Sequence, residues 1–190
     1  MFEAVVIGAS AGGMRALTAV LSKLPASFAL PIAVVQHLDD QSDGYLAEHL
    51  DRASAIAVKE AENRETLKAG TAYLAPAGYH LLIEPGRVFS LSIDDRVNFV
   101  RPAIDILFES AADVFAETLI GVVLTGANAD GAKGLKQIKK RGGFAIVQNP
   151  KTAEAKCMPE SALAAASVDF VLDLDDIAPR LVDLCNGRHQ

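Results

Sequence analysis

Short apolar runs rich in Val and Ile recur along the chain between longer segments of helical periodicity. The strand-like runs cover 4–7, 31–36, 119–124, 143–148 and 168–172. The helical patterns cover 12–23, 43–53, 102–117, 131–141, 159–166 and 174–185. An order that is largely β-α-β-α predicts an α/β fold with a doubly wound, mainly parallel sheet and helices on both of its faces. Pro102 is expected in the first turn of its helix.

The middle of the chain follows a different pattern. Four short strand-like pieces cover 55–59, 71–75, 80–84 and 87–92, and Pro85-Gly86 gives a tight-turn signal between the last two. We therefore expect an inserted antiparallel hairpin in this region. Because no fixed-period repeat and no Gly/Ser-rich or Pro-rich linker is present, residues 1–190 are predicted to form a single domain.

Composition limits the classes of protein that the chain can represent. A hydrophobic content of 51% over 190 residues supplies a core without disulfides, and Cys157 and Cys185 are expected to be buried or incidental thiols. The two cysteines do not have the spacing of metal ligands, and we expect neither a metal nor a cofactor. The lack of a signal peptide or long apolar run predicts a cytoplasmic protein without membrane insertion. A net charge of −6 argues against a nucleic-acid partner.

Ser10 lies where the first apolar run gives way to a helical pattern. The sequence Gly8-Ala9-Ser10-Ala11-Gly12 fits the Gly-x-Ser-x-Gly elbow, in which small neighbours allow a sharp bend that exposes the serine hydroxyl. The start of the following helix adds backbone N–H groups that can bind an oxyanion. The turn therefore predicts an exposed nucleophile.

Two other interpretations of the same turn stay open. Gly8-x-Ser10-x-x-Gly13 resembles a dinucleotide fingerprint, with Asp39 and Asp40 after the next strand as ribose-binding candidates. The serine side chain argues against it, because the middle glycine of that fingerprint leaves space for a pyrophosphate. The remaining alternative is a serine that caps an ordinary helix.

His37 and Asp130 also follow apolar strands. If those strands neighbour the first one, an imidazole, a carboxylate and the Ser10 hydroxyl meet at one edge of the sheet, as a catalytic triad requires. His37 could instead be a loop imidazole bonded to a carbonyl. Asp130 could cap the helix that begins near Gly131. The other histidines, His49, His80 and His189, are weaker candidates for a general base.

Several further stretches give the chain a family likeness over about residues 3–185. They are Ile7-Gly-Ala-Ser-Ala-Gly-Gly13, Gln36-His37, Lys59-Glu-Ala-Glu62, Tyr73-Leu-Ala-Pro76, Arg101-Pro-Ala-Ile-Asp105, Leu124-Thr-Gly126 with Asp130-Gly131, Gln148-Asn149 and Met158-Pro159. With these stretches the chain resembles the catalytic domain of the CheB-type protein-glutamate methylesterases of bacterial chemotaxis.

The resemblance implies a catalytic serine, histidine and aspartate at Ser10, His37 and Asp130, and no cofactor. The oxyanion is expected against backbone N–H groups of Ala11, Gly12 and Ala127. The implied substrates are γ-glutamyl methyl esters on the methylated cytoplasmic domain of chemoreceptors, with deamidation of receptor glutamines as a related activity.

The chain departs from the family pattern at several positions. Ala11 stands where threonine is common, Ala127 where methionine is usual and Cys157 where glycine is usual. Such enzymes also normally carry an N-terminal receiver domain, whereas this chain begins almost on the first strand. Three alternatives stay open: a stand-alone enzyme, a piece of a longer protein, or a variant that works with a receiver domain or a receptor methyltransferase on another chain. A nucleotide-binding module and a non-catalytic receptor-binding domain are the competing functions.

Overall fold

The structure is a computed structural model that describes residues 1–37 and 44–188. Its strands are β1 Ala4–Ala9, β2 Ile32–Gln36, β3 Ala57–Glu60, β4 Thr71–Leu74, β5 His80–Glu84, β6 Val88–Ser92, β7 Leu119–Val123, β8 Phe144–Gln148 and β9 Phe170–Leu172. Its helices are α1 Gly13–Leu21, α2 Tyr45–Ala53, α3 Ile104–Phe115, α4 Ala132–Lys140, α5 Cys157–Ala165 and α6 Leu174–Cys185, and a 3₁₀ turn spans Ala116–Thr118.

Seven strands form one parallel sheet in the order β3-β4-β2-β1-β7-β8-β9, which confirms the predicted fold class. The predicted antiparallel hairpin is β5–β6, with His80 opposite Ser92 and Glu84 opposite Val88. The two earlier middle strands do not join this hairpin. β4 pairs with β2 and β3 with β4, so both extend the parallel sheet at one side.

Helices cover both faces of the sheet because the central strands alternate buried side chains between two cores. Val5 and Ile7 of β1 point into a core formed with α1, α2 and α6. Val6 points into the opposite core, which contains α3, α4, α5 and the β5–β6 hairpin. Burial on both faces explains why these strands are continuously apolar.

Two local predictions need correction. Pro102 is not in the first turn of a helix, because α3 begins at Ile104 with Ala103 as its N-cap, and the Arg101–Pro102 peptide is cis. Cys157 lies exposed in the first turn of α5, so of the two alternatives given for it burial is wrong and an incidental thiol stays open. Cys185 is half-buried. Among the helices within residues 1–37 and 44–188, none is long and apolar enough to span a membrane.

The sheet topology brings three chain segments to one edge. β1 lies between β2 and β7, so the chain leaves β1 toward one side of the sheet and later returns on the other side. Ligand sites in open α/β sheets occur beyond the carboxyl ends of strands at such a switch point. The loops that follow β1, β2 and β7 carry Ser10, His37 and Asp130.

Candidate active site

Ser10 is the first residue after β1 and lies in a tight turn. Its backbone N–H donates to the Thr125 carbonyl at 2.9 Å, and its carbonyl accepts from Gly13 N at 2.7 Å. Gly12 is the N-cap of α1 and has φ 76°, a left-handed conformation that favours glycine. The sequence of small residues thus permits the bend that holds the serine between the sheet and the start of α1.

His37 directly follows β2 and is joined to the Ser10 turn by hydrogen bonds. Its backbone N–H donates to the Ala9 carbonyl at 3.1 Å. The buried Gln36 side chain donates through Nε2 to the carbonyls of Ser10 and His37, both at 2.9 Å. One carboxamide therefore fixes the distance between the two loops. The sequence pattern marked Gln36 only as part of the family likeness and did not indicate this contact.

The side chains of Ser10, His37 and Asp130 form one hydrogen-bonded chain. His37 Nδ1 lies 3.1 Å from Ser10 Oγ, and His37 Nε2 lies 2.8 Å from Asp130 Oδ2. An ionised carboxylate can only accept, so Nε2 carries the ring proton and Nδ1 presents its lone pair to the serine hydroxyl. This is the tautomer that a general base needs.

Asp130 has a fully buried side chain and many donors. Oδ2 accepts from His37 Nε2 and from the backbone N–H of Ile104 at 2.6 Å. Oδ1 accepts from the backbone N–H groups of Asp105 and Gly131 and from Asn98 Nδ2. Burial alone would raise the pKa of Asp130, but the hydrogen bonds from His37, Ile104 and Asn98 outweigh it and lower the pKa. The carboxylate is therefore charged at neutral pH.

Asp130 does cap a helix, as the alternative interpretation predicted. The helix is mainly α3, however, and not the one that begins near Gly131. The N–H groups of Ile104 and Asp105 are the first two of α3, whose own N-cap Ala103 offers no side-chain acceptor. Asp130 thus caps α3 from a distant loop, and the positive end of that helix favours its charge.

Three backbone N–H groups, those of Ala11, Gly12 and Ala127, are expected to bind an oxyanion. Within the described part of the protein, the N–H groups of Ala11, Gly12 and Ala127 donate to no other residue. Ala11 and Ala127 are exposed and Gly12 is half-buried. The departures to alanine at 11 and 127 leave these backbone donors in place.

Sequence reasoning missed two asparagines at this edge. Asn98 donates through Nδ2 both to Asp130 Oδ1 at 2.9 Å and to Asp105 Oδ2 at 3.0 Å. Asn128 accepts the Asp130 N–H at 3.1 Å and places Nδ2 3.4 Å from His37 Nδ1. An Asn two residues before an Asp is a local signal for an Asx turn, which could have indicated Asn128. No local signal indicates Asn98.

The remaining histidine candidates do not reach this chain. His80 is buried, accepts the Ala103 N–H at Nδ1 and donates from Nε2 to the Asp95 carbonyl. His49 lies near Thr18 between α1 and α2. His189, and the ribose-binding candidates Asp39 and Asp40, lie outside the described residues. No group of His, Cys, Asp and Glu suited to hold a metal ion is found among residues 1–37 and 44–188.

A serine, a histidine and a buried carboxylate in one hydrogen-bonded chain, at the carboxyl edge of an α/β sheet, are the arrangement found in serine hydrolases. Comparison with known proteins identifies the family. The chain belongs to the CheB methylesterase family, since the model of that family matches residues 5–181. The family likeness noted in the sequence is thereby confirmed.

Individual relatives agree with this assignment. A protein of Leptospira interrogans, provisionally named protein-glutamate methylesterase/protein-glutamine glutaminase, is 53% identical over 183 residues, which are 96% of this chain and 95% of that protein. A Hahella chejuensis protein-glutamate methylesterase/protein-glutamine glutaminase is 40% identical over 96% of this chain but only 48% of its own length. The chain thus spans about half the length of that longer relative.

A solved structure shows the same fold. The crystal structure of the Thermotoga maritima CheB methylesterase catalytic domain superposes with a TM-score of 0.93 at 38% identity. The match covers 97% of this chain and 99% of that domain. None of the comparisons favours the nucleotide-binding alternative.

Proposed function

We propose that this chain is a serine esterase that removes methyl groups from γ-glutamyl methyl esters on the cytoplasmic domains of chemoreceptors. The observation that carries the proposal is the continuous hydrogen-bonded chain from Ser10 Oγ through His37 to Asp130. The names of the relatives support the substrate class. A cytoplasmic location follows from where that substrate lies.

The first half-reaction forms an acyl-enzyme. Ser10 Oγ attacks the ester carbonyl carbon while its proton passes to His37 Nδ1. The imidazolium that results is stabilised by Asp130, whose carboxylate accepts the Nε2 hydrogen at 2.8 Å. The tetrahedral oxyanion lies against the backbone N–H groups of Ala11, Gly12 and Ala127. Its collapse breaks the bond to the methoxy group, which leaves as methanol with the proton from His37.

The second half-reaction releases the glutamyl side chain. Water attacks the acyl carbon and gives a proton to His37 Nδ1. As the second tetrahedral intermediate collapses, this proton passes from His37 to Ser10 Oγ, and the released acid ionises to a glutamate carboxylate. Hydrolysis of a receptor glutamine follows the same path with ammonia in place of methanol. The leaving amine also takes its proton from His37, so one site serves both substrates.

Substitution of the nucleophile tests the proposal. The Ser10→Ala variant is expected to lose at least about 10⁴-fold in kcat, because it lacks the oxygen that receives the acyl group. The measurement is methanol release from methylated receptor membranes. Ser22→Ala is the matched control, since Ser22 is an exposed serine at the other end of α1. Turnover by Ser10→Ala at the parental rate would refute the assignment.

A further inference from the structure

The orientation of the Asn128 carboxamide is fixed by a contact within its own loop. Oδ1 accepts the backbone N–H of Asp130, two residues further on, at 3.1 Å. This Asx turn fixes the direction of the amide oxygen and of the amide NH₂ group. Because the oxygen faces the backbone, the NH₂ group faces the imidazole and lies 3.4 Å from His37 Nδ1.

His37 Nδ1 cannot satisfy both of its neighbours. In the tautomer set by Asp130 it has one lone pair, and the Ser10 hydroxyl at 3.1 Å is the closer donor. The Asn128 amide at 3.4 Å is therefore left with a long and weak hydrogen bond. When Nδ1 takes the serine proton it becomes a donor, and the amide loses even this acceptor.

We propose that the Asn128 side-chain amide donates a hydrogen bond to the oxyanion of the tetrahedral intermediate. The inference rests on the function proposed above and assigns a further catalytic residue to the same site. The oxyanion forms on the carbon that Ser10 attacks, at the moment when Nδ1 ceases to accept. The amide thus gains a strong, charge-assisted partner only in the transition state, and such an interaction raises kcat.

Asn149 offers a matched control for the turn itself. It follows β8 and forms the same Asx turn, with Oδ1 accepting the Lys151 N–H at 3.1 Å. Its Nδ2 donates to Asp173 at 2.7 Å and not to any member of the Ser10–His37–Asp130 chain. Asn149→Ala therefore measures what loss of an Asx turn does at a site that has no contact with the Ser10–His37–Asp130 chain.

The experiment compares kcat and KM for methylated receptor, each at the pH plateau of the variant. Asn128→Ala is expected to lower kcat by about 10²- to 10³-fold, as the loss of one oxyanion donor does, with KM within about threefold. Asn128→Asp keeps an acceptor for the Asp130 N–H but replaces the donor by a carboxylate oxygen. Its kcat should fall at least as far. Asn149→Ala should stay within about twofold of the parent, because it touches no reacting atom.

The pH profile gives a second readout, which tests whether the side chain of residue 128 lies against the imidazole in solution. A carboxylate at 128 beside the imidazole favours the imidazolium, so the acid limb of kcat/KM for Asn128→Asp should shift to higher pH. Thermal unfolding shows whether each variant is folded. If Asn128→Ala does not fold, Asn128→Asp decides the question, since it retains the turn.

Each result supports or overturns the inference. Near-parental kcat in Asn128→Asp, or a loss in Asn128→Ala that appears in KM alone, means that the amide does not bind the oxyanion. A loss of equal size in Asn149→Ala would reduce the effect to turn geometry. Full activity of Ser10→Ala would defeat the proposed function itself. An inactive Ser10→Ala with an active Asn128→Asp would defeat only the role of Asn128.

Discussion

Asp130 and Asp105 are two buried carboxylates with opposite electrostatic character. Asp130 is 1% exposed and Asp105 is 3% exposed, and both accept from the Asn98 amide. The pKa of Asp130 is lowered because its hydrogen bonds outweigh its burial. The pKa of Asp105 is raised because burial, together with the nearby charge of Asp130, outweighs the donors Gly134 N–H and Asn98. Similar burial is therefore compatible with pKa shifts in opposite directions.

The difference lies in the number and kind of donors. Asp130 has five donors: His37 Nε2, Asn98 Nδ2 and the N–H groups of Ile104, Asp105 and Gly131. Asp105 accepts from Asn98 Nδ2 and from the Gly134 N–H at 2.8 Å, and the Gly131 N–H, which donates to Asp130, also lowers its pKa. A buried carboxylate stays ionised when several donors replace the lost water. Asp130, the carboxylate in contact with the imidazole, accepts more of these hydrogen bonds than Asp105 does.

Each carboxylate also accepts hydrogen bonds from the first turn of a helix in a different segment of the chain. Asp130 precedes α4 but accepts from the first N–H groups of α3, and Asp105 lies in α3 but accepts from Gly134 in the first turn of α4. Neither helix has a side-chain cap of its own at the N-terminus. The two helices are thus capped reciprocally, so both aspartates have a structural role while only Asp130 contacts His37.

Replacing each carboxylate by an amide should give the largest difference in kcat between the two sites. In Asp130→Asn, an amide NH₂ facing His37 Nε2 favours the ring tautomer with its proton on Nδ1, and this tautomer cannot take the serine proton. We expect kcat to fall by about 10⁴-fold, the scale of such tautomer errors. Lost caps should also lower the free energy of unfolding by about 3 kcal/mol. Receptor demethylation and urea unfolding measure the two effects.

Asp105→Asn is the control for this prediction. It changes a carboxylate of equal burial that has no contact with His37, so kcat should remain within about threefold of the parent. If Asp105→Asn lost as much kcat as Asp130→Asn, the contrast between the two sites would be wrong and a general loss of packing at α3 and α4 would explain both.

Asn98→Gly should weaken both carboxylate sites at once. Glycine tolerates the φ of 53° at this position, so the change removes the shared amide without straining the backbone. We expect the free energy of unfolding to fall by about 2 kcal/mol, because two hydrogen bonds to carboxyl groups are lost. The loss in kcat should be about tenfold or less, since four donors to Asp130 remain.

Phe99→Gly controls for the added flexibility. Phe99 follows Asn98 in the same turn, has φ 67° and is 95% exposed, so its removal relaxes the turn without loss of a contact to either carboxylate. Its kcat should match that of the parent. Equal losses in the two variants would show that turn rigidity, and not the Asn98 amide, matters for activity.

The pH dependence of stability should have opposite signs at the two sites. Asp105 has a raised pKa in the folded state, so its contribution is present below the unfolded value near 3.8 and is lost as pH rises through the folded pKa. The parent should therefore lose stability relative to Asp105→Asn as pH rises above this value. This is the smallest of the expected effects.

The contribution of Asp130 to stability should change with pH in the opposite direction. Its pKa is lowered in the folded state, so its contribution is present above the unfolded value near 3.8 and is lost as pH falls through the folded pKa. The advantage of the parent over Asp130→Asn should thus shrink in acid. Urea titrations across this range measure both differences, and slopes of the same sign for the two variants would contradict the comparison.

Much of the fold could be predicted because the sheet strands are short, apolar and locally marked. The five main strands and six helices lie close to their predicted positions, and the hairpin at Pro85-Gly86 has its own turn signal. The pairing of β3 and β4 with the parallel sheet has no such signal, because it depends on contacts with β2. The start of α3 at Ile104 was missed for a similar reason, since its first N–H groups bond to Asp130.

By itself, the sequence determined that a serine in a tight turn, a histidine and an aspartate each follow a predicted strand, because apolar periodicity and turn residues are local properties. That these three strands are neighbours was decided by the tertiary structure. Only the tertiary structure decided which imidazole nitrogen faces the serine, that Asp130 caps α3, and that Asn98 and Asn128 face this site. These contacts join residues far apart along the chain, and local patterns do not encode the direction in which a side chain points after the strands have packed.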